Sequence, residues 1–234
     1  VRVTASELAG ALKAAAMFAC TDETRAHMNC VHVEAVGGAL RLVASDGHTM
    51  WCCEVPAEDS ASDPAPVHQT PWNVRLDDVD LIVRALKDAG EVEVSVAKRE
   101  ICGESFPNAS EDFVPYAVVL PYALEQAPGK NLPEFAADYV ARACEALAAY
   151  GKGFAPEVPK KGSKHDKEAA RTARDGFLSP AVAWRIGGAL DPAIFYSPKF
   201  PAAFALVMPR RGDGGAPSIE AFFDRCRERK GRAA

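Results

Sequence analysis

Apolar and polar positions over the first 121 residues set out one pattern twice. Residues 1–3 ("VRV") read as a short strand. "TASELAGALKAAAMFA" (4–19) reads as a helix, with Leu8, Ala11, Leu12 and Ala15 on one face. Thr4 or Ser6 is placed to cap it, and Glu7 follows Thr4 by three residues, as in a capping box. In "NCVHVEAV" (29–36), Cys30, His32 and Glu34 alternate with Val31, Val33 and Ala35, the period of a strand. Gly37-Gly38 is a two-residue hairpin turn into "ALRLVAS" (39–45). "HTMWCCEVP" (48–56) is a third strand, followed by a loop rich in Ala, Ser, Asp and Pro over 57–66. The order then returns. There is a strand at 68–74 and a helix at 75–90 closed by Gly90, then a hairpin over 91–105 and a last strand at "EDFVPYAVVLP" (111–121).

Beyond Pro121 the pattern loosens. "NLPEFAADYVARACEALAAYG" (131–151) reads as a helix, with Pro133 in its first turn and Gly151 at its end. Residues 152–176 are basic, poor in apolar side chains and rich in Pro and Gly, and read as a mobile insertion. Strands follow at 181–188, 192–198 and 203–209. The tail 216–234 starts as a helix anchored by Ile219, Phe222 and Phe223 and then turns basic.

Composition narrows the classes. Apolar residues are 48% and charged residues 25%, ordinary for a soluble globular chain. No run of about 18 apolar residues occurs, so no membrane span is expected. A formal net charge of −5 argues against wholesale coating of nucleic acid but leaves room for a local basic face. None of the seven cysteines forms a Cys-x-x-Cys pair or stands at zinc-ligand spacing with a histidine. They read as buried and reduced, in a cytoplasmic protein; no metal and no cofactor are expected.

Ser45, Asp46 and His48 raise the possibility of a hydrolase. A nucleophile needs a base within reach, an orienting acid and an oxyanion hole, and three residues of one tight turn do not converge in that way. No nucleophile-elbow, Walker-type or dinucleotide signature is present. The chain reads as a non-enzyme.

The blocks "TDETRAHMNCVHVE", "LRLVASDGH" and "FVPYAVVLP" resemble the middle domain of the bacterial DNA sliding clamp, the β subunit of DNA polymerase III. That family favours A-T-D-G-H-R-L and F-P-D-Y-R-R-V-L-P at the last two. "FALVMPRR" (204–211) is similar to its closing V-V-M-P-M-R. With "ALDPAIF" and the helix before it, the later residues resemble the second half of the last clamp domain, so the resemblance covers most of the chain. The resemblance leaves the first clamp domain without a counterpart and the first half of the last either absent or replaced by residues 122–132 and the basic insertion. The resemblance implies an α+β DNA-clamp fold of repeated strand–helix–antiparallel-strand units, with helices on one face of the sheets. Residues 1–121 would be one clamp domain, 122–215 a partial one carrying the insertion, and 216–234 a C-terminal helix or tail.

In this family, linear peptide motifs of polymerases and repair proteins enter an apolar pocket between the last two domains. The resemblance implies walls from Met28, Met50, Val114, Val118, Val119, Leu206 and Met208. Pro209 would shape the rim. Ser45, Gly47, His48 and Thr49 would supply polar contacts, with Arg210 and Arg211 at the exit. Thr49 stands where the family has Arg, Val114-Pro115 where it has Pro-Asp, and Arg210 where it has Met. Arg210 would favour an acidic residue in the peptide. Clamp helices also present cations to duplex DNA, and the candidates here are Lys13, Arg25, Arg75, Arg84, Lys87 and Arg142. Asp77 and Asp78 put negative charge beside them. Two functions remain open: a processivity factor or recruitment platform, closing a ring as a homotrimer, and a monomeric clamp remnant that binds clamp-motif peptides without encircling DNA.

Overall fold

The computed structural model describes residues 1–58, 70–117, 135–156, 158–159, 161, 163–178, 182–186 and 192–208. Two strand–helix–strand units form the first part. In the first, β1 (Arg2–Thr4) leads into α1 (Ala5–Ala16), followed by β2 (Cys30–Val36), β3 (Ala39–Ser45) and β4 (Thr49–Pro56). In the second, β5 (Trp72–Arg75) leads into α2 (Leu76–Ala85), then β6 (Glu91–Ser95), β7 (Glu100–Ile101) and β8 (Glu104–Ser105). A third, partial unit has α3 (Ala137–Gly153), α4 (Lys164–Leu178), β9 (Ala183–Ile186), β10 (Ala193–Ser197) and β11 (Phe200–Val207). No helix among the described residues is long and apolar enough to cross a membrane.

The units exchange strands. One sheet has the order β1-β6-β7-β8, and a seven-stranded sheet runs β5-β2-β3-β4-β11-β10-β9, antiparallel throughout. At its centre β4 pairs with β11, Met50 opposite Leu206 and Trp51 opposite Ala205. This seam joins residues about 150 positions apart in the chain. It also explains the unbroken apolar run of β4: strands covered on both faces lose the polar alternation of half-exposed ones.

One sheet face packs under the helices. Leu8, Leu12 and Phe18 meet Val31, Leu42, Trp51, Cys53 and Val55 in the main core. Tyr150 of α3 lies edge-on to Trp51 and donates a 2.6 Å hydrogen bond to the Glu54 carbonyl oxygen. The other face carries a smaller cluster of Val43, Met50, Cys52, Ile194, Leu206 and Met208, joined by Cys20, Met28, Val114 and Tyr116.

Helices α1 and α3 cross on glycine. A Cβ on Gly10 would lie 3.0 Å from the Gly153 Cα, and one on Gly153 would lie 2.5 Å from the Ser6 carbonyl oxygen. Ser6 donates its hydroxyl to the Gly153 carbonyl oxygen at 2.9 Å. Ser6 thus ties the end of α3 rather than capping α1. Thr4 does occupy the N-cap position, but its side chain makes no cap bond; the Ala5 N–H is taken by the Gly90 carbonyl.

Several boundaries differ from the sequence reading. Helix α2 ends at Ala85, with Asp88 in the left-handed region at φ 63°, so Gly90 does not close it. Helix α3 begins at Ala137 and runs past Gly151 to Gly153. Residues 111–115 form no strand; this segment crosses the outer face of the sheet, and Tyr116 begins a helical turn. Its cover is specific: Phe113 stacks on His32 with ring centres 4.5 Å apart, and the Tyr116 hydroxyl donates to Glu34. Residues 164–176 of the expected mobile insertion are helical, as part of α4. The Ser163 backbone N–H and hydroxyl both donate to Asp166, whose own N–H donates back to Ser163, a reciprocal cap. At the far end Phe177 packs on Phe200. The strand expected at 68–74 starts at Trp72, and the tail 216–234 lies outside the described residues.

Candidate functional site

The β3–β4 turn is held by Asp46. Its Oδ1 accepts from the backbone N–H groups of His48 (2.9 Å) and Thr49 (2.7 Å) and from the Thr49 hydroxyl (2.9 Å). This is an Asx turn, in which a carboxylate substitutes for the backbone acceptor two or three residues on. Gly47, at φ 91°, takes a conformation that costs a side-chain-bearing residue strain. The Ser45 hydroxyl donates to the Thr49 carbonyl oxygen at 2.8 Å and accepts the Gly47 N–H at 3.2 Å. Hydroxyl and carboxylate are therefore both engaged in shaping the turn. Ser45 delivers its proton to a carbonyl rather than to an imidazole, so no Ser–His pair is assembled.

Beyond the turn lies the small apolar cluster. Met50 on β4 and Leu206 and Met208 at the end of β11 stand across the seam, and the Met208 N–H donates to the His48 carbonyl oxygen at 3.1 Å. Met28 and Val114 join them. Five of the apolar residues singled out from the sequence thus share one cluster on one sheet face. Met28, Met50, Leu206 and Met208 are each at most 1% exposed, so they form a closed floor. Half-buried Phe113, Tyr196 and Phe204 surround it and are what an arriving ligand would meet first.

His48 stacks on Tyr139 of α3, ring centres 6.2 Å apart and planes 15° from parallel. Its Nδ1 is buried without a hydrogen-bond partner. Arg142, one turn along α3 from Tyr139, places Nη1 2.6 Å from Asp46 Oδ2, with its guanidinium over the Tyr139 ring. Val118, Val119, Pro209, Arg210 and Arg211 lie outside the described residues.

The sequence reading missed Tyr139, Phe204, Tyr196, Ile194 and Cys52 as neighbours of this site. Strand parity carried the signal: Met50 and Cys52 share one face of β4, Phe204 and Leu206 one face of β11, and Ile194 and Tyr196 one face of β10. Tyr139 had none, because its place depends on how α3 crosses the turn.

The candidate cations lie on several different elements. Lys13 projects from α1 and Lys87 follows α2, both exposed. Arg25 pairs with Asp22 and Arg75 with Asp77. Arg84 donates to the Asp80 carbonyl oxygen. Arg142 is neutralised by Asp46.

Repeated strand–helix–antiparallel-strand units, with helices on one face and a strand seam between units, define the DNA-clamp fold, an α+β architecture. Solved bacterial sliding clamps share it. The chain is similar to the Pseudomonas aeruginosa DNA polymerase sliding clamp, with 17% identity and a TM-score of 0.58 over 90% of this chain and 66% of that one. It is similar to the DNA polymerase III β subunit of Thermotoga maritima at 14% identity and a TM-score of 0.57, covering 90% of this chain and 65% of that one. The Caulobacter crescentus sliding clamp gives 19% identity and a TM-score of 0.53, again covering 90% and 65%. The chain therefore spans slightly less than two thirds of the length of these clamps. No protein-family model matches the chain, and no curated protein matches it either.

Proposed function

We propose that this protein is a clamp-like recruitment platform of DNA replication or repair, cytoplasmic and without chemistry of its own. It receives linear peptide motifs of polymerases and other clamp partners on the outer sheet face at the β4–β11 seam. The observation that carries this reading is the meeting of Met28, Met50, Val114, Leu206 and Met208 in one apolar cluster, beside the turn that carries His48. A peptide site needs apolar walls and a few oriented polar groups. Val118, Val119, Pro209, Arg210 and Arg211 would complete its walls, rim and exit. In this reading residues 1–121 act as one clamp domain and 122–215 as a partial second.

The test is a titration of a labelled clamp-motif peptide, with a Gln, a Leu and a closing Leu-Phe pair, followed by fluorescence anisotropy. Wild type should bind, and the His48→Ala, Met208→Ala double variant should lose affinity at least tenfold. Equal affinity would end the proposal.

A second reading is a monomeric adaptor that binds the same peptides without encircling DNA. It is favoured by the acids of α2, where Asp77, Asp78 and Asp80 face a single Arg84, and by the pairing of Arg142 with Asp46. Light scattering after size exclusion separates the two: a trimer retained on circular DNA supports the ring, a stable monomer the adaptor.

A further inference from the structure

We propose that α4 is a contact for the backbone of duplex DNA, taking the place of the helices that line a clamp's hole. The proposal goes beyond the peptide-binding reading and does not rest on it. Lys164, Lys167, Arg171 and Arg174 recur at intervals of three, four and three residues, which puts all four on one side of a helix. Lys164, Arg171 and Arg174 are exposed and Lys167 is half-buried. Among the described residues, none of the four is held in an ion pair. Three acids share the helix. Asp166 faces away from this side and is engaged by the Ser163 cap, whereas Glu168 and Asp175 border the cationic stripe.

Among the described residues the other helices offer no comparable surface. On α1, Glu7 offsets Lys13; on α2 the acids outnumber Arg84. On α3, Asp138 and Glu145 offset Arg142 and Lys152, and Arg142 is already bound by Asp46. Helix α4 alone among them carries more cations than acids.

The attachment of α4 leaves the stripe accessible. The helix is anchored at its C-terminal end, where Phe177 packs on Phe200 and Lys199 places Nζ 3.6 Å from the centre of the Phe177 ring. Lys199 is exposed and adds a cation beside that end. The remaining exposed face presents His165, Glu168, Ala169, Thr172 and Ala173, which line an open shallow groove. It has none of the large apolar side chains by which a helix enters a lipid interface. A repeating phosphate lattice therefore fits the stripe better than a membrane does. Such contacts are independent of base sequence and release counterions, so they weaken steeply with salt.

The experiment measures binding of a random-sequence labelled duplex across a salt series. It uses the whole chain, a K164Q/K167Q/R171Q/R174Q variant and a K13Q/R84Q/K87Q control. Glutamine keeps helix propensity close to that of lysine and arginine, and circular dichroism checks that α4 persists. The α4 variant should lose most of its affinity at low salt. Its slope of log K against log salt should flatten by about 3 to 4, at about 0.9 per phosphate contact, while the control keeps its slope within about 1. An unchanged α4 variant, a control that falls as far, or wild type that binds anionic phospholipid vesicles but no duplex would each overturn the proposal. Clamp-motif peptide affinity, measured on the same proteins, should not change in the α4 variant, which keeps the two sites distinguishable.

Discussion

Arg142 and Asp46 are 96 residues apart in the chain, yet Nη1 of one lies 2.6 Å from Oδ2 of the other. The same carboxylate holds the N–H groups of His48 and Thr49 through its second oxygen. One acid therefore fastens the turn internally and ties it to α3. The side chains are 30% and 17% exposed, enough burial for the pair to matter and enough solvent to screen it. Asp46→Ala should cost about 2–3 kcal/mol, because it strands two backbone donors and the guanidinium. Asp46→Asn keeps an acceptor for the turn and should cost about 1 kcal/mol. In a double-mutant cycle with Arg142→Met, urea unfolding should show a coupling of at least about 0.5 kcal/mol.

The glycine crossing of α1 and α3 makes a sharper prediction. An added methyl on Gly153 meets a backbone oxygen at 2.5 Å, which no rotamer change relieves. Gly153→Ala should destabilise by about 1–3 kcal/mol, in spite of the gain in helix propensity of about 1 kcal/mol. Gly90→Ala is the control, since nothing lies within 4 Å of its added carbon, and it should stay within about 0.5 kcal/mol. Thermal midpoints of the two variants check both statements.

Local order was legible in this sequence and the long-range partners were not. Alternation marked β2 and β3 to within a residue or so, because a half-polar sheet face leaves a period of two; β4 was legible instead as the apolar run that leaves the Asp46-Gly47 turn. The apolar stripe of α1 was visible through Leu8 and Leu12. Its second buried face, with Gly10 and Ala14, was not, because glycine and alanine raise no hydrophobic signal. Residues 111–121 read as a strand, and 111–117 are the part of it that is described. Instead Phe113 and Tyr116 anchor an irregular cover to His32 and Glu34. The polar composition of 152–176 hid a helix that one cap and one phenylalanine define. At the site, the turn chemistry of Asp46-Gly47 and the floor methionines were readable. The Arg142 contact was not, since a helical arginine looks the same whether it faces a phosphate or a carboxylate.

His32 contributes to the acid limb of stability. Burial pushes its pKa below the ordinary histidine value, opposed by the 2.7 Å bond to Asn73 and by the charge of Glu34. Asn73 donates its amide to the carbonyl oxygens of Ser110 and Asp112, so its Oδ1 is an acceptor and His32 donates from Nδ1. With the folded value depressed, the unfolded chain takes up a proton that the native protein refuses. The His32 contribution is therefore fully favourable above about pH 6.5 and is lost as the pH falls below it. Urea midpoints should drop between about pH 7 and pH 5, and His32→Gln should reduce that drop.

Thiol reactivity should follow burial rather than position in the chain. Burial raises the pKa of Cys30 and Cys52 to about 12 and pushes Cys53 up as well. At about pH 8, a thiol with such a value is ionised about once in ten thousand molecules, and the thiolate is the reactive form. Cys102 is exposed on the tight β7–β8 turn; partial burial and Glu104 raise its pKa, but reagents reach it directly. Under native conditions iodoacetamide should modify Cys102 while Cys30, Cys52 and Cys53 stay free, as read by mass spectrometry of the digest. Cys52 also belongs to the cluster beneath the proposed peptide site, with Met50 and Leu206. Binding of a clamp-motif peptide should leave Cys52 at least as protected as before. Faster labelling of Cys52 on binding would mean that the peptide enters by prising the seam apart rather than by resting on its outer face.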